Sequence, residues 1–307
     1  MHSYPLPQGI FSAQWIPTDA SGQVDRASLA AHIAFEKRAG INGVLALGST
    51  GEFPQFSLEE RKKVLATVVE LAAPLTVFAN ITDIRPKAAV ELGRFAKSLG
   101  VSAVALMPPV FFPVSQADML AYFLHVAEHV DLPVMLYNFP ELTGKRIDLP
   151  TVAAFADRAP MVAIKQSGGE FAYHQQLIPL GREKGFAVMS GADTRLPEVF
   201  KLGGAGCTGG LVNLVPELMV AIDRICRQGQ PGDHTAAAAA MVELGKIIDQ
   251  LTFPLNVAAG LEARGFKPGV PKTIVSEESR ALYAKIVAEL GALFRRENLA
   301  IGHSAAA

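Results

Sequence analysis

Cysteine is scarce in this chain: Cys207 and Cys226 are the two present among 307 residues. They have no metal-type pairing, a disulfide framework is not expected, and a reducing cytoplasm is the expected compartment. Runs of one charge sign are also missing, with 28 basic residues against 29 acidic ones and a net charge of −1. That balance argues against a nucleic-acid or membrane-surface partner. No apolar run approaches the roughly 18–20 residues that a membrane span requires. The alanine stretch Ala236–Ala240 is flanked by polar residues and reads as helix. The opening residues MHSYPLPQGIFSAQW show no basic segment followed by an apolar one, so no secretory signal is expected.

What the chain does contain is apolar bulk in a regular order. Half of its residues are hydrophobic, enough for a sizeable core. Short apolar runs bounded by turn residues alternate with longer segments of helical period. The runs predict strands at Phe11–Thr18, Gly43–Gly48, Leu75–Asn80, Ala103–Met107, Val134–Asn138, Val162–Gln166, Ala187–Ser190 and Gly206–Gly209. Helices are expected between them. One spans Asp25–Ala39 before Gly40, and Ser57–Leu71 opens with a capping box from Ser57 to Glu60. Arg85–Leu99 and Ser115–Val130 follow, with further helices from Leu149, Glu170, Asp193 and Val215.

Near-continuous apolar strands, each followed by a helix, indicate a parallel sheet covered by helices. Eight such units predict an α/β fold of the closed (β/α)8 type, a TIM barrel; an open doubly wound sheet is the structural alternative. From about Gly232 the strand signal stops and the remainder reads as helical, broken at Pro254 and around Lys267–Lys272. The expected organisation is therefore a catalytic barrel over residues 1–231 and a C-terminal helical extension over residues 232–307, packed on it.

Chemistry in such a barrel sits where strands end. Lys165 closes the sixth apolar run, Val162-Ala163-Ile164-Lys165-Gln166. Burial there would disfavour its ammonium and free the amine to attack a carbonyl. The plainer reading is a lysine that points into the helix layer and reaches water. The same four letters, VAIK, mark the nucleotide-binding lysine of protein kinases, but no upstream glycine-rich loop and no HRD or DFG accompanies them. Tyr137 closes the fifth run, next door in a barrel, and a phenol beside an imine-forming amine is a plausible proton shuttle. Alone it reads equally as a core-edge tyrosine bonded to backbone. Gly48-Ser49-Thr50-Gly51-Glu52 ends the second run with N–H and O–H donors together, a cradle for a small carboxylate or simply a tight turn. His125 and His129 share a helix face but lack a third ligand, and read as a surface pair. Thr208, in the glycine-rich stretch Gly203–Gly210, is expected to line the pocket.

The order and spacing of these elements carry more than any one of them. GSTGE after the second strand, YNFP-x-x-TG after the fifth, the apolar strand ending in Lys165, then SGAD at Ser190–Asp193 and GGAG-x-x-GG resemble the dihydrodipicolinate synthase/N-acetylneuraminate lyase superfamily. The resemblance covers residues 8–230 and implies a class I lyase, usually a homotetramer, with no metal and no organic cofactor. It implies that Lys165 forms a Schiff base with C2 of pyruvate or another 2-keto acid, and that Tyr137 relays protons. Ser49, Thr50 and the backbone of Gly48 and Gly51 would hold the 1-carboxylate, with Gly191 and Thr208 lining the pocket.

Within that superfamily, synthases of the dihydrodipicolinate type carry an arginine where this chain has Leu142, and tyrosines where it has Val110, Phe111 and Phe112. Sialate lyases carry an acid where Thr194 follows Gly191-Ala192-Asp193. The stretches around GSTGEFPQFSLEERK and VMLYNFPELTGKRIDLP look most similar to the 2-keto-3-deoxy sugar-acid aldolases, which release pyruvate and an aldehyde; Thr143 and Ser167 would then offer hydroxyls to the sugar portion. Alternatives within the mechanism are a keto-deoxy sugar-acid dehydratase, N-acetylneuraminate lyase and dihydrodipicolinate synthase. The alternative of another class is a non-catalytic keto-acid-binding protein.

Overall fold

Eight strands form in the computed structural model, which describes residues 4–299. They are β1 (Gly9–Ala13), β2 (Gly43–Ala46), β3 (Thr76–Asn80), β4 (Ala103–Leu106), β5 (Val134–Asn138), β6 (Met161–Gln166), β7 (Ala187–Ser190) and β8 (Gly206–Gly209). Each pairs in parallel with its sequence neighbour, and β8 pairs back onto β1, so the sheet closes into a barrel. The open-sheet alternative is thereby excluded.

Helices α1 (Arg26–Ala39), α2 (Leu58–Ala72), α3 (Pro86–Ser98), α4 (Gln116–Val130), the single turn α5 (Pro140–Thr143), α6 (Leu149–Ala156), α7 (His174–Lys184), α8 (Leu196–Leu202) and α9 (Pro216–Cys226) follow the strands. Their ends are set by local chemistry. The Asp25 carboxylate accepts from the Ser28 N–H at 3.0 Å at the start of α1, and Gly40 ends it with φ 89°. Ser57 and Glu60 close the capping box of α2. Asp131, at φ 54°, takes the left-handed C-cap of α4. After β6 and β7 the chain first makes 3-10 turns, at Phe171–Tyr173 and Asp193–Arg195, so α7 and α8 start later than the apolar period suggests.

Two strands are shorter than the apolar runs predict. β1 ends at Ala13, although residues 14–18 are as buried as a strand. The Trp15 N–H leaves the ladder and donates to Asn213 Oδ1 at 2.9 Å. Hydrophobicity persists because this segment lies under the C-terminal part of the chain, and apolar periodicity alone does not separate buried coil from strand. β2 ends at Ala46 because Leu47 turns to φ 57°.

Two apolar layers result. Phe11, Leu45, Phe78, Met135, Tyr137 and Met189 fill the barrel interior, while a larger cluster fills the space between strands and helices. Helices α10 (Thr235–Ile248), α11 (Leu255–Ala263) and α12 (Glu277–Arg296) follow the barrel. Arg264 ties them to the barrel helices. It is fully buried between the rings of Phe35 and Phe294 and donates to Glu217 Oε1 at 2.7 Å. Among the described residues, no helix is long and apolar enough to cross a membrane.

Candidate active site

β5 and β6 run side by side with Tyr137 opposite Lys165 and Asn138 opposite Gln166. Register partners in a parallel pair face the same side, and here both Tyr137 and Lys165 face the interior. Lys165 is 3% exposed, and its Nζ lies 4.2 Å from the centre of the Tyr137 ring. The lysine that reaches water through the helix layer is therefore not what forms. Below the amine, the barrel is filled with apolar side chains.

Around this pair, polar side chains at the strand ends fix the loops. Asn138 donates from Nδ2 to Gln166 Oε1 at 2.7 Å and accepts the Ile147 N–H at 2.9 Å. Asn80 donates to the Leu47 carbonyl at 2.8 Å, and Thr82 donates to Asn80 Oδ1 at 2.7 Å while accepting the Met107 N–H at 2.8 Å. Buried polar groups satisfied in this way hold one geometry. The Asn80 bond pins the left-handed Leu47, which aims the next residues, Gly48–Gly51, across the barrel mouth.

In that turn Gly51 packs against the segment that follows β1: a Cβ there would lie 2.8 Å from the Gln14 carbonyl oxygen. Thr50 is buried near Gly210, and Ser49 faces the open cleft. Gly191 is equally constrained. A Cβ on it would meet Ser167 Oγ at 2.1 Å and Lys165 Cε at 3.3 Å, so glycine leaves the lysine its space. Ser167 is buried beside it, and the Thr208 hydroxyl is buried with no hydrogen-bond partner among the described residues. Thr143 is the exception among the expected residues. It lines the cleft, but its hydroxyl lies 2.8 Å from the Lys145 carbonyl and 3.1 Å from that of Phe139, already engaged by its own turn.

The cleft, about 660 Å³, is lined by Ser49, Arg61, Met107, Phe111, Leu142 and Thr143 among others. Lys165 and Tyr137 do not line it; Met107 belongs both to the cleft wall and to the interior cluster with Tyr137. A smaller cavity, about 260 Å³, opens beside Pro7, Phe78 and Val162 and has no charged residue in its lining.

Sequence reasoning passed over several residues of the mouth. Arg61 lies on the buried stripe of α2 with Val64, Leu65 and Val68, and a charge on an apolar helix face was the available signal. Its guanidinium donates to Asp83 at 3.1 Å and to the Thr82 carbonyl at 2.9 Å, and burial lowers its pKa to about 10. Asp193 accepts the Leu211 N–H at 2.7 Å and the Cys207 thiol at 3.2 Å; burial raises its pKa despite these bonds and the nearby Lys165 charge. Burial also holds the Cys207 thiol well above its usual range, so it is an inert donor. The Nδ1 of His129 lies 2.8 Å from the His125 carbonyl, and among the described residues no group of three His, Cys, Asp or Glu is placed to hold a metal.

The barrel is closed, Lys165 is buried near the end of β6, and the family model for the Dihydrodipicolinate synthetase family matches residues 6–290. The chain belongs to this family. It is accordingly an enzyme, a Schiff-base-forming carbon–carbon lyase.

Among curated members, the 4-hydroxy-tetrahydrodipicolinate synthase of Methanococcoides burtonii is 28% identical over 292 residues, covering 93% of this chain and 99% of that one. The enzyme of that name from Haloarcula marismortui is 29% identical over 276 residues, with 88% and 89% coverage. Among solved structures, YagE of E. coli K12 in complex with pyruvate is 28% identical with a TM-score of 0.86, covering 94% of this chain and 99% of its own. The dihydrodipicolinate synthase of Acinetobacter baumannii complexed with pyruvate is 26% identical with a TM-score of 0.83, covering 92% and 99%.

Proposed function

We propose that this member of the dihydrodipicolinate synthetase family uses Lys165 to form an imine with pyruvate and joins the resulting enamine to an aldehyde, or runs that aldol step in reverse. The observation that carries the reading is the amine of Lys165 held in the barrel interior against the Tyr137 ring, with Gly191 leaving it room. Pyruvate complexes of related structures support the keto acid.

The proposed steps are those of imine chemistry. The neutral amine adds to C2 of pyruvate, water leaves, and the protonated imine draws electrons from C3, which loses a proton to give the enamine. C3 then bonds to the aldehyde carbon as the C=O π bond opens and its oxygen takes a proton to become a hydroxyl, and water hydrolyses the imine to restore the amine. Tyr137 supplies and removes the protons of addition and dehydration. Ser49, Thr50 and the backbone of Gly48 and Gly51 hold the 1-carboxylate, and the Thr208 hydroxyl lines the pocket.

Two readings of the aldehyde remain, and each has its own support. The relatives' name, 4-hydroxy-tetrahydrodipicolinate synthase, describes a dicarboxylate product, so the partner of pyruvate there must bring a carboxylate of its own. This is the first reading, and Arg61 and Arg85 are cations lining the cleft. Both, however, already pair with Asp83. Leu142 in the cleft wall, where the synthases have arginine, favours the second reading, retro-aldol cleavage of a 2-keto-3-deoxy sugar acid. Assembly as a homotetramer in the cytoplasm completes the proposal.

Pyruvate trapping with borohydride and peptide mass analysis tests the core of it: an adduct on Lys165 is expected, and an adduct on another lysine would overturn the assignment. Pyruvate with an aldehyde that carries its own carboxylate, against a panel of 2-keto-3-deoxy sugar acids, separates the two readings by which reaction turns over.

A further inference from the structure

Glu52 ends the Gly48–Gly51 turn with φ 55° and is 9% exposed. A carboxylate so far from water needs a partner, and it comes from the far end of the chain. Lys272 Nζ donates to Glu52 Oε2 at 2.7 Å and to the Ile16 carbonyl at 2.8 Å, 4.8 Å from the centre of the Trp15 ring. Burial lowers the ammonium's pKa against the pull of Glu52. A lysine placed there at such a desolvation cost returns little stability compared with an apolar side chain; what it can return is geometry.

The surrounding contacts show what geometry. Trp15 Nε1 donates to the Pro268 carbonyl at 2.7 Å, and the Val270 N–H donates to the Thr18 carbonyl at 2.8 Å. Gly269 sits so close that a Cβ on it would lie 2.5 Å from the Thr18 nitrogen. Residues 268–272 are therefore fastened along the segment that follows β1, and Lys272 extends this fastening to the turn. From Glu52 the coupling to the site is one bond long, because its N–H donates to the Ser49 carbonyl at 3.0 Å. Thr273, the next residue after Lys272, lines the cleft itself.

We infer that Lys272 is a positioning residue, holding the Gly48–Glu52 turn in the shape that receives the substrate carboxylate, so that the C-terminal part of the chain sets affinity for the 2-keto acid without touching it. The inference rests on the reading above that this turn takes the carboxylate.

Borohydride trapping at increasing pyruvate, read by intact mass, gives a half-saturation concentration for adduct formation on Lys165. Methyl pyruvate keeps the ketone but lacks the carboxylate charge, and serves as the control. In Lys272→Met the pyruvate half-saturation is expected to rise about tenfold, as for a lost charge-assisted contact, with full adduct yield at saturation. The methyl pyruvate value is expected to stay within about twofold, since that ligand makes no charge-assisted contact to lose. Lys272→Arg keeps the charge and restores most of the pyruvate affinity. Should Lys272→Met not fold, Glu52→Gln carries the same comparison, with a smaller rise in the same direction. A common shift for both ligands, or no shift for either, would overturn the inference. Wild-type protein that yields no Lys165 adduct at any pyruvate concentration would sink the functional reading itself, and the inference with it.

Discussion

Lys165 and Tyr137 are register partners across β5 and β6, and the lysine amine rests 4.2 Å from the centre of the tyrosine ring. The tyrosine is thus carried by the strand next to that of Lys165, and both side chains are buried. Substitutions at the two positions separate their roles. Lys165→Ala is expected to abolish adduct formation and lower turnover by at least about 10³-fold, the scale of losing a covalent nucleophile. Tyr137→Phe keeps the ring against the amine and removes only the hydroxyl. Turnover is expected to fall roughly 10²–10⁴-fold, with slow adduct formation retained. Steady-state kinetics together with trapping checks both, and a fully active Tyr137→Phe enzyme would remove the phenol from the mechanism.

Gly191→Ala tests the space around the Lys165 side chain. The new methyl meets Ser167 Oγ and crowds Lys165 Cε. The expected outcome is a folded protein, destabilised by about 1–3 kcal/mol, whose turnover falls on the order of 10²-fold because the lysine is displaced. Thermal unfolding and single-turnover trapping on one sample give the two numbers.

Leu142 is 49% exposed in the cleft wall. Leu142→Arg adds a cation able to bind a carboxylate through two N–H groups, worth about 1.5–3 kcal/mol, or at least about tenfold in KM for an aldehyde that carries a carboxylate. Uncharged polyhydroxy aldehydes should not benefit. An unchanged KM for the carboxylated aldehyde would place its distal end away from this wall.

Stability should depend on pH through a buried pair outside the site. Ser12 Oγ donates to Glu36 Oε1 at 2.5 Å, His32 Nε2 lies 3.6 Å from the same carboxyl group, and both Glu36 and His32 are buried. Burial raises the Glu36 pKa from 4.5 to about 8 and lowers that of His32 from 6.5 to about 4. The folded chain therefore holds an extra proton on Glu36 between 4.5 and about 8, and stability falls with rising pH across that window. For His32 the unfolded chain binds the extra proton between about 4 and 6.5, so stability rises with pH there. The opposing slopes offset each other up to pH 6.5, and from there to about 8 only the Glu36 loss remains. A decline on the order of 1–2 kcal/mol is expected across that interval. Glu36→Gln should flatten it. Urea midpoints measured from pH 6 to about 9 check the slope, and an identical decline in the variant would assign it elsewhere.

The barrel was legible because its signals are local. Apolar runs of strand length, Ser57 with Glu60 at the head of α2, and Gly40 after α1 each record a physical demand met within a few residues, and all three appear in the structure. The lysine and tyrosine were legible as chemistry out of place in apolar strands. The limits of β1 and β2 were not, because residues 14–18 are buried by distant chain and Leu47 is turned by Asn80. Thr143 carried the right functional group for a substrate contact, but its hydroxyl is engaged by its own turn.

By itself, then, the sequence determined the eight-fold alternation, the family it resembles, and which side chains are chemically unusual for their setting. In a strand buried on both faces, alternation does not say which face a residue takes, so the inward aim of Lys165 was decided by its pairing with Tyr137. The sequence also placed Glu52 and Lys272 at positions 220 residues apart, with nothing local to connect them. Only closure of the barrel and folding of the C-terminal segment against β1 brought that carboxylate and ammonium out of water together, where each is costly without the other.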